Sequence, residues 1–184
     1  MGHFSSMAAL PYSRALTVHD LADGSDDGHR YELVDDSLVV TPAPSGWHQI
    51  AGIALLHLFE AAVSEEWRVM VAPYEWRLAD DTALQPDVLV VRRDDVGDVH
   101  RVTPIVVAEV LSPSTRSFDL LVKRERYGAA GGSAYWVVDV EVPSVTVWAR
   151  RGGPLEVVAA AAGDTEVALE VPFAVRVRPS DLLR

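Results

Sequence analysis

The chain contains no cysteine, which excludes disulfides, thiolate nucleophiles and cysteine-held zinc and leaves only oxygen and imidazole for any metal. It is short of positive charge as well: 16 Lys and Arg stand against 27 Asp and Glu, a formal net charge of −11 at pH 7. A protein that grips DNA mainly by neutralising phosphates presents a basic surface, so this balance argues against tight electrostatic binding. An acidic site that becomes less negative once cations bind stays compatible with it. The basic clusters Arg92-Arg93 and Lys123-Arg124-Glu125-Arg126 read as solvated surface. Long apolar runs are missing too, and nothing approaches the ~20 residues of a membrane span. Met1 to Met7 lacks a basic stretch followed by an apolar one, so it does not read as a signal peptide. These absences lead to the expectation of a cytoplasmic protein with no membrane partner.

What is present suits one domain: 184 residues, 49% of them apolar, supply a single substantial core. Residues 1–16 read as a leader and 17–184 as the domain. Thr17 starts a short helix, and Tyr31 to Val34 and Ser37 to Val40 form a hairpin around Asp35-Asp36. From Ser45 to about Glu66 the period becomes helical, with Ile50, Ile53, Ala54, His57, Leu58, Ala61 and Ala62 recurring. Strand character returns at Val69 to Ala72, Tyr74 to Leu78, Val88 to Val91 and Ile105 to Leu111. A helix spans about Thr115 to Ala130, capped by Thr115 and stopped by Gly131-Gly132. Ala134 to Asp139 and Ser144 to Ala149 then pair as strands, and the tail adds runs at Leu155 to Ala159 and Val171 to Val177. The sum is an α/β (α+β) domain with a mixed sheet and a helical crossover before the Trp136 strand.

Chemistry concentrates in the middle of the chain. Asp87 opens the apolar run Val88 to Val91, and Glu109 interrupts the run Ile105 to Leu111. A carboxylate inside such a run needs a partner. Magnesium or manganese would supply one, because these hard cations take carboxylate oxygen, retain waters and need few protein ligands. Asp87 and Glu109 are therefore candidate metal ligands, with the backbone carbonyl of Val110 as a third. Lys123, on the following helix, shares a face with Asp119 and Tyr127 at i±4 spacing. It is a candidate to orient water and stabilise charge on a phosphate, with Glu32 and Tyr127 in support. The alternatives are a solvated turn for Asp87, a plain salt bridge to Lys123 or an arginine for Glu109, and an exposed helix charge for Lys123.

Other residues read as structure. Ser112, Ser114 and Thr115 have no histidine partner in a recognisable motif, His48 reads as a capping or surface residue with a phosphate contact as the alternative, and His57 reads as packing. Tyr135 and Trp136 belong to the core, Asp139 to a turn, and Trp148 to the sheet or a subunit contact.

Taken in order, Tyr31-Glu32-Leu33-Val34-Asp35, Pro42 to His48, Pro86-Asp87-Val88, Glu109 to Thr115, Asp119, Lys123, Tyr127 and Tyr135-Trp136-Val137-Val138-Asp139 resemble the Uma-two family of bacterial endonucleases, within the PD-(D/E)XK nuclease-like superfamily. The resemblance runs from about Thr17 to the C-terminus. It implies a restriction-endonuclease-like mixed sheet flanked by helices, with Asp87 and Glu109 as metal ligands, Lys123 as the catalytic lysine, and Glu32 as the acidic residue of the first element. It also implies magnesium- or manganese-dependent cleavage of DNA, by a homodimer if two strands are cut. Two departures stand out: Leu111 occupies the strand position where the superfamily usually has its lysine, and Asp36 stands where relatives place a turn glycine. A catalytically inactive nuclease-fold scaffold or interaction module is the competing expectation.

Overall fold

The structure is a computed structural model, and it describes residues 14–21 and 28–184. Most of the expected leader, residues 1–13, lies outside the described residues, as does the glycine-punctuated loop at 22–27.

Helix α1 (Val18–Leu21) is a single turn. The Asp20 carboxylate reaches back to accept the Thr17 N–H at 2.7 Å and its hydroxyl at 3.1 Å, so the acid ties down the start of the helix. Strands β1 (Arg30–Val34) and β2 (Ser37–Thr41) form the expected hairpin. Its two turn residues, Asp35 and Asp36, have φ of 47° and 65°, the left-handed pair that a two-residue type I′ turn requires. Aspartate tolerates that region better than most residues, which is why the turn forms without glycine.

Helix α2 (Gly46–Glu60) begins at Ser45, whose hydroxyl accepts the His48 N–H. It stops six residues before the expected end, since Ala61 already turns back to the His57 carbonyl. Its inward stripe is His48, Ala51, Leu55 and Phe59, at spacings of three, four and four, whereas Ile50, Ile53 and His57 are exposed. His57 is therefore not a packing residue. Two stripes were available on this helix, and the one buried carries Ala51, Leu55 and Phe59 into the core and His48 onto Asp87.

Strands β3 (Trp67–Val71), β4 (Trp76–Ala79), β5 (Thr82–Leu84) and β6 (Val88–Arg92) follow. The Asp80-Asp81 turn closes a β4–β5 hairpin whose second strand the sequence pattern did not announce. Strand β7 (Val106–Leu111) leads into a π-helical segment (Phe118–Lys123) that continues as α3 (Arg124–Ala129). Ser112, rather than Thr115, accepts the first N–H of this turn, from Thr115 itself. Strands β8 (Ala134–Asp139), β9 (Ser144–Arg150), β10 (Leu155–Ala162), β11 (Val167–Leu169) and β12 (Val175–Val177) complete the sheets, and a 3-10 turn (Pro179–Leu183) ends the chain.

The main sheet runs β10-β9-β8-β7-β6-β3, a smaller one runs β2-β1-β5-β4, and β11 pairs with β12. Only β7 and β8 are parallel in the main sheet, and they need the helical crossover between them. Every residue of both is buried, as expected of strands covered on two faces. On one face α2 packs Ala51, Leu55 and Phe59 onto Val88, Ala108, Val110 and Trp136, with Phe59 edge-on to Trp136 at 5.1 Å. On the other, Trp76, Tyr127 and Tyr135 pack with Leu89, Val107 and Val137. Gly132 lies directly against the Tyr127 ring, where a Cβ would collide with it, and Gly131 takes a φ of 89°. Those two glycines end the crossover helix.

Candidate active site

Asp87 immediately precedes β6, where the chain enters the sheet beside antiparallel β7. One carboxylate oxygen accepts from Arg30 Nη2 at 2.8 Å. The other accepts the Val110 N–H at 2.8 Å and lies 3.0 Å from His48 Nε2. Burial alone would raise this carboxyl, but the His48 hydrogen bond and the charges of Arg30, His48 and Lys123 outweigh it and hold it well below the ordinary carboxylate range.

A second group gathers around Lys123, which is only 3% exposed. Its ammonium lies 3.0 Å from Glu32, 3.1 Å from Glu109 and 3.4 Å from Asp119, and 5.5 Å from the Phe118 ring centre. Glu32 also accepts the Gln85 N–H at 2.8 Å. The widened π-turn carries both Asp119 and Lys123 inward, a distortion often found at functional sites. Burial opposes the Lys123 charge, yet the surrounding carboxylates win and its pKa is raised. For Glu109 and Asp119 burial dominates, and Lys123 only partly offsets it, so both carboxyls are pushed upward. One Asp119 oxygen is buried with no hydrogen-bond partner, since the lysine contact falls outside hydrogen-bond geometry.

Both groups line one cavity of about 470 Å³, whose wall includes Glu32, Asp87, Glu109, Val110, Asp119 and Lys123. Glu141 lines it as well, so five carboxylates face the two fixed cations Arg30 and Lys123 and the imidazole of His48. In a strand the N–H and C=O of one residue project to the same edge. The Val110 carbonyl therefore faces the Asp87 side, to which its N–H is bonded. Among the described residues, no three His, Asp or Glu side chains are gathered as a metal-binding group. Two carboxylates, one carbonyl and waters are a different donor set, which suits magnesium or manganese. The negative excess and the unpartnered Asp119 oxygen fit an added cation.

The structure thus brings Glu32, Asp87, Glu109, Val110 and Lys123 together. Tyr127 is not among them: its hydroxyl donates to the Pro104 carbonyl at 2.9 Å, and its ring packs in the second core against Trp76 and Tyr135. One turn beyond Lys123, α3 has already passed the cavity. One site residue was missed in the sequence: Arg30, which shares a strand face with Glu32 by the period of two and so had a positional signal. His48, read as a capping or surface residue with a site role as the alternative, is instead held on Asp87. Asp139, as expected, serves a turn, accepting from Glu141 and Val142 N–H and pairing with Arg116 at 2.7 Å.

The model of the Uma2 family, whose description is "Putative restriction endonuclease", matches residues 16–178. The chain belongs to this family. The ordered landmarks from Tyr31 to Asp139 therefore led to the right family. A crystal structure of "a putative nuclease belonging to DUF820 from Anabaena variabilis ATCC 29413" is similar, with a TM-score of 0.73 and 16% identity over 91% of this chain and 97% of that one. At that identity the likeness shows the fold, a restriction-endonuclease-like mixed sheet with few helices. No curated protein matches the chain. Among the described residues no helix is long and apolar enough to cross a membrane.

Proposed function

We propose that the chain is a magnesium- or manganese-dependent endonuclease hydrolysing phosphodiester bonds in DNA. The observation that carries this reading is the convergence of Asp87 and Glu109, from neighbouring strands, with Lys123 on one cavity. Asp87, Glu109 and the Val110 carbonyl would hold the cation. Bound there, it lowers the pKa of the attacking water and polarises a phosphoryl oxygen. Lys123 supplies positive charge to the phosphate as negative charge builds on it. Its partners Glu32, Glu109 and Asp119 hold the ammonium in place and keep it protonated, so its part is charge stabilisation and not proton abstraction. Arg30 and His48 fix the Asp87 carboxylate, and Tyr127 contributes by anchoring the helix that carries Lys123 to Pro104.

The test is plasmid and oligonucleotide cleavage by purified protein in magnesium and in manganese, against Asp87→Ala. Metal-dependent nicking that disappears in the variant is the expected result. Equal, absent cleavage in both overturns the reading. A specific observation favours a silent scaffold as the second reading: each basic side chain lining the cavity already faces a carboxylate. Manganese titration by calorimetry separates the two, because a cation site lost in Glu109→Ala is not expected of a mere scaffold. A homodimer, expected where both strands of a duplex are cut, is tested by sedimentation.

A further inference from the structure

Trp47 is 59% exposed, yet it lines the same cavity as Asp87 and Glu109. It stands in the first turn of α2, beside His48, whose ring is held on Asp87 at 3.0 Å. A large indole left in water at the mouth of a buried polar site is an unspent contact surface. The basic side chains of that site are not similarly free: Arg30 and His48 face Asp87, and Lys123 faces Glu32, Glu109 and Asp119. With a chain charge of −11, counterion release supplies little affinity here.

A second hollow of about 490 Å³ adjoins the first and shares Arg30, His48 and Asp87 with it. Ile53, Leu56 and Pro73 give it an apolar side. The two hollows therefore meet at Arg30, His48 and Asp87. We infer that the substrate is an unpaired stretch of nucleic acid, threaded through both hollows, with the base on one side of the scissile phosphate stacked on Trp47. This rests on the nuclease reading for the place of the phosphate. A duplex hides its base faces in the stack, so only a single strand or an opened end offers the indole a face to cover.

The test measures binding of fluorescently labelled single-stranded dT12 and of a 12-base-pair duplex by anisotropy, with calcium present, for the native chain, Trp47→Ala and Trp47→Phe. Cleavage of single-stranded oligonucleotide and of plasmid in manganese runs alongside. Tighter binding of dT12 than of duplex is expected, with a log–log salt slope of magnitude below about 2. Trp47→Ala weakens dT12 binding by roughly 5- to 150-fold, the range for loss of one base–aromatic stack, and Trp47→Phe retains most of it. Equal dT12 binding by the native chain and Trp47→Ala overturns the inference, as does a preference for duplex. So does a native dimer that Trp47→Ala converts to monomer, which would assign the face to self-association. If nicking depends on Asp87 while Trp47 is dispensable, this inference falls and the nuclease reading stands. If dT12 binds through Trp47 but neither single strand nor plasmid is cleaved, the unpaired-strand binding stands and the nuclease reading falls.

Discussion

Replacing Lys123 by methionine tests the centre of the structural argument, because it keeps the length of the side chain and removes only the ammonium. In the native chain that ammonium is 3% exposed and lies within 3.4 Å of three carboxylates. Removing one member of a buried ion pair costs about 3–5 kcal/mol, since the remaining charge is left uncompensated. At ~2.1 cal/mol/K of unfolding entropy per residue, a chain of this length loses roughly 8–13 °C in Tm. The loss depends on pH in a defined direction. Burial already raises the Glu109 and Asp119 carboxyls above their ordinary values, and without Lys123 they rise further. A carboxyl whose folded pKa exceeds its unfolded value favours the native state at low pH, and that advantage disappears as pH climbs from about 4 through the folded value. Lys123→Met is therefore least impaired near pH 5 and most impaired near pH 8, by differential scanning calorimetry. Glu109→Gln added to it recovers part of the deficit, a coupling that a double-mutant cycle reads directly. An unchanged Tm at pH 8 would refute the claim that Lys123 compensates these acids.

Three further outcomes follow from the packing and charges. Gly132→Ala places a methyl into the Tyr127 ring, and overpacking of this kind costs about 1–3 kcal/mol in urea unfolding; a stability equal to the native chain would show that the ring has room to move. His100 is buried with neither ring nitrogen in hydrogen-bond geometry, and burial lowers its pKa. The unfolded chain takes up the proton first, so stability falls as pH drops through about 6.5, and His100→Phe should flatten that part of the profile. Arg30→Ala removes a charged hydrogen bond to Asp87, costing about 1.5–3 kcal/mol. The depressed folded pKa of Asp87 gives stability above about pH 3.9 that is lost as pH falls further, so the variant should acid-unfold at a higher pH by circular dichroism.

The strands of the main sheet were legible because their patterns are local. Val106 to Leu111 is an apolar run broken only by Glu109, Ala134 to Val138 is apolar up to the closing Asp139, and both strands are buried throughout. The Asp35-Asp36 turn and the Gly131-Gly132 stop likewise act through their own backbone. Helix α2 was harder, because Ile50, Ile53 and His57 give it a second, equally periodic stripe that remains exposed. The three-residue β5 carries too few residues for a period to declare itself. Tyr127 looked like a companion of Lys123 by i,i+4 spacing, but its ring packs in the second core and its hydroxyl donates to the Pro104 carbonyl.

From its residues alone, the chain determined that any metal must be held by oxygen or imidazole, that Asp87 and Glu109 would sit at strands, and that each needed a partner. Which partner each received was a tertiary matter. Lys123 could have paired with Asp119 on its own helix and nothing else, yet the fold gives it Glu32 from a hairpin and Glu109 from the sheet. Arg30 lies 57 residues from Asp87, the acid it binds. Such pairings answer to a cost that exists only after burial, because an exposed carboxylate is satisfied by water and a buried one must find its counter-charge wherever the chain has brought one.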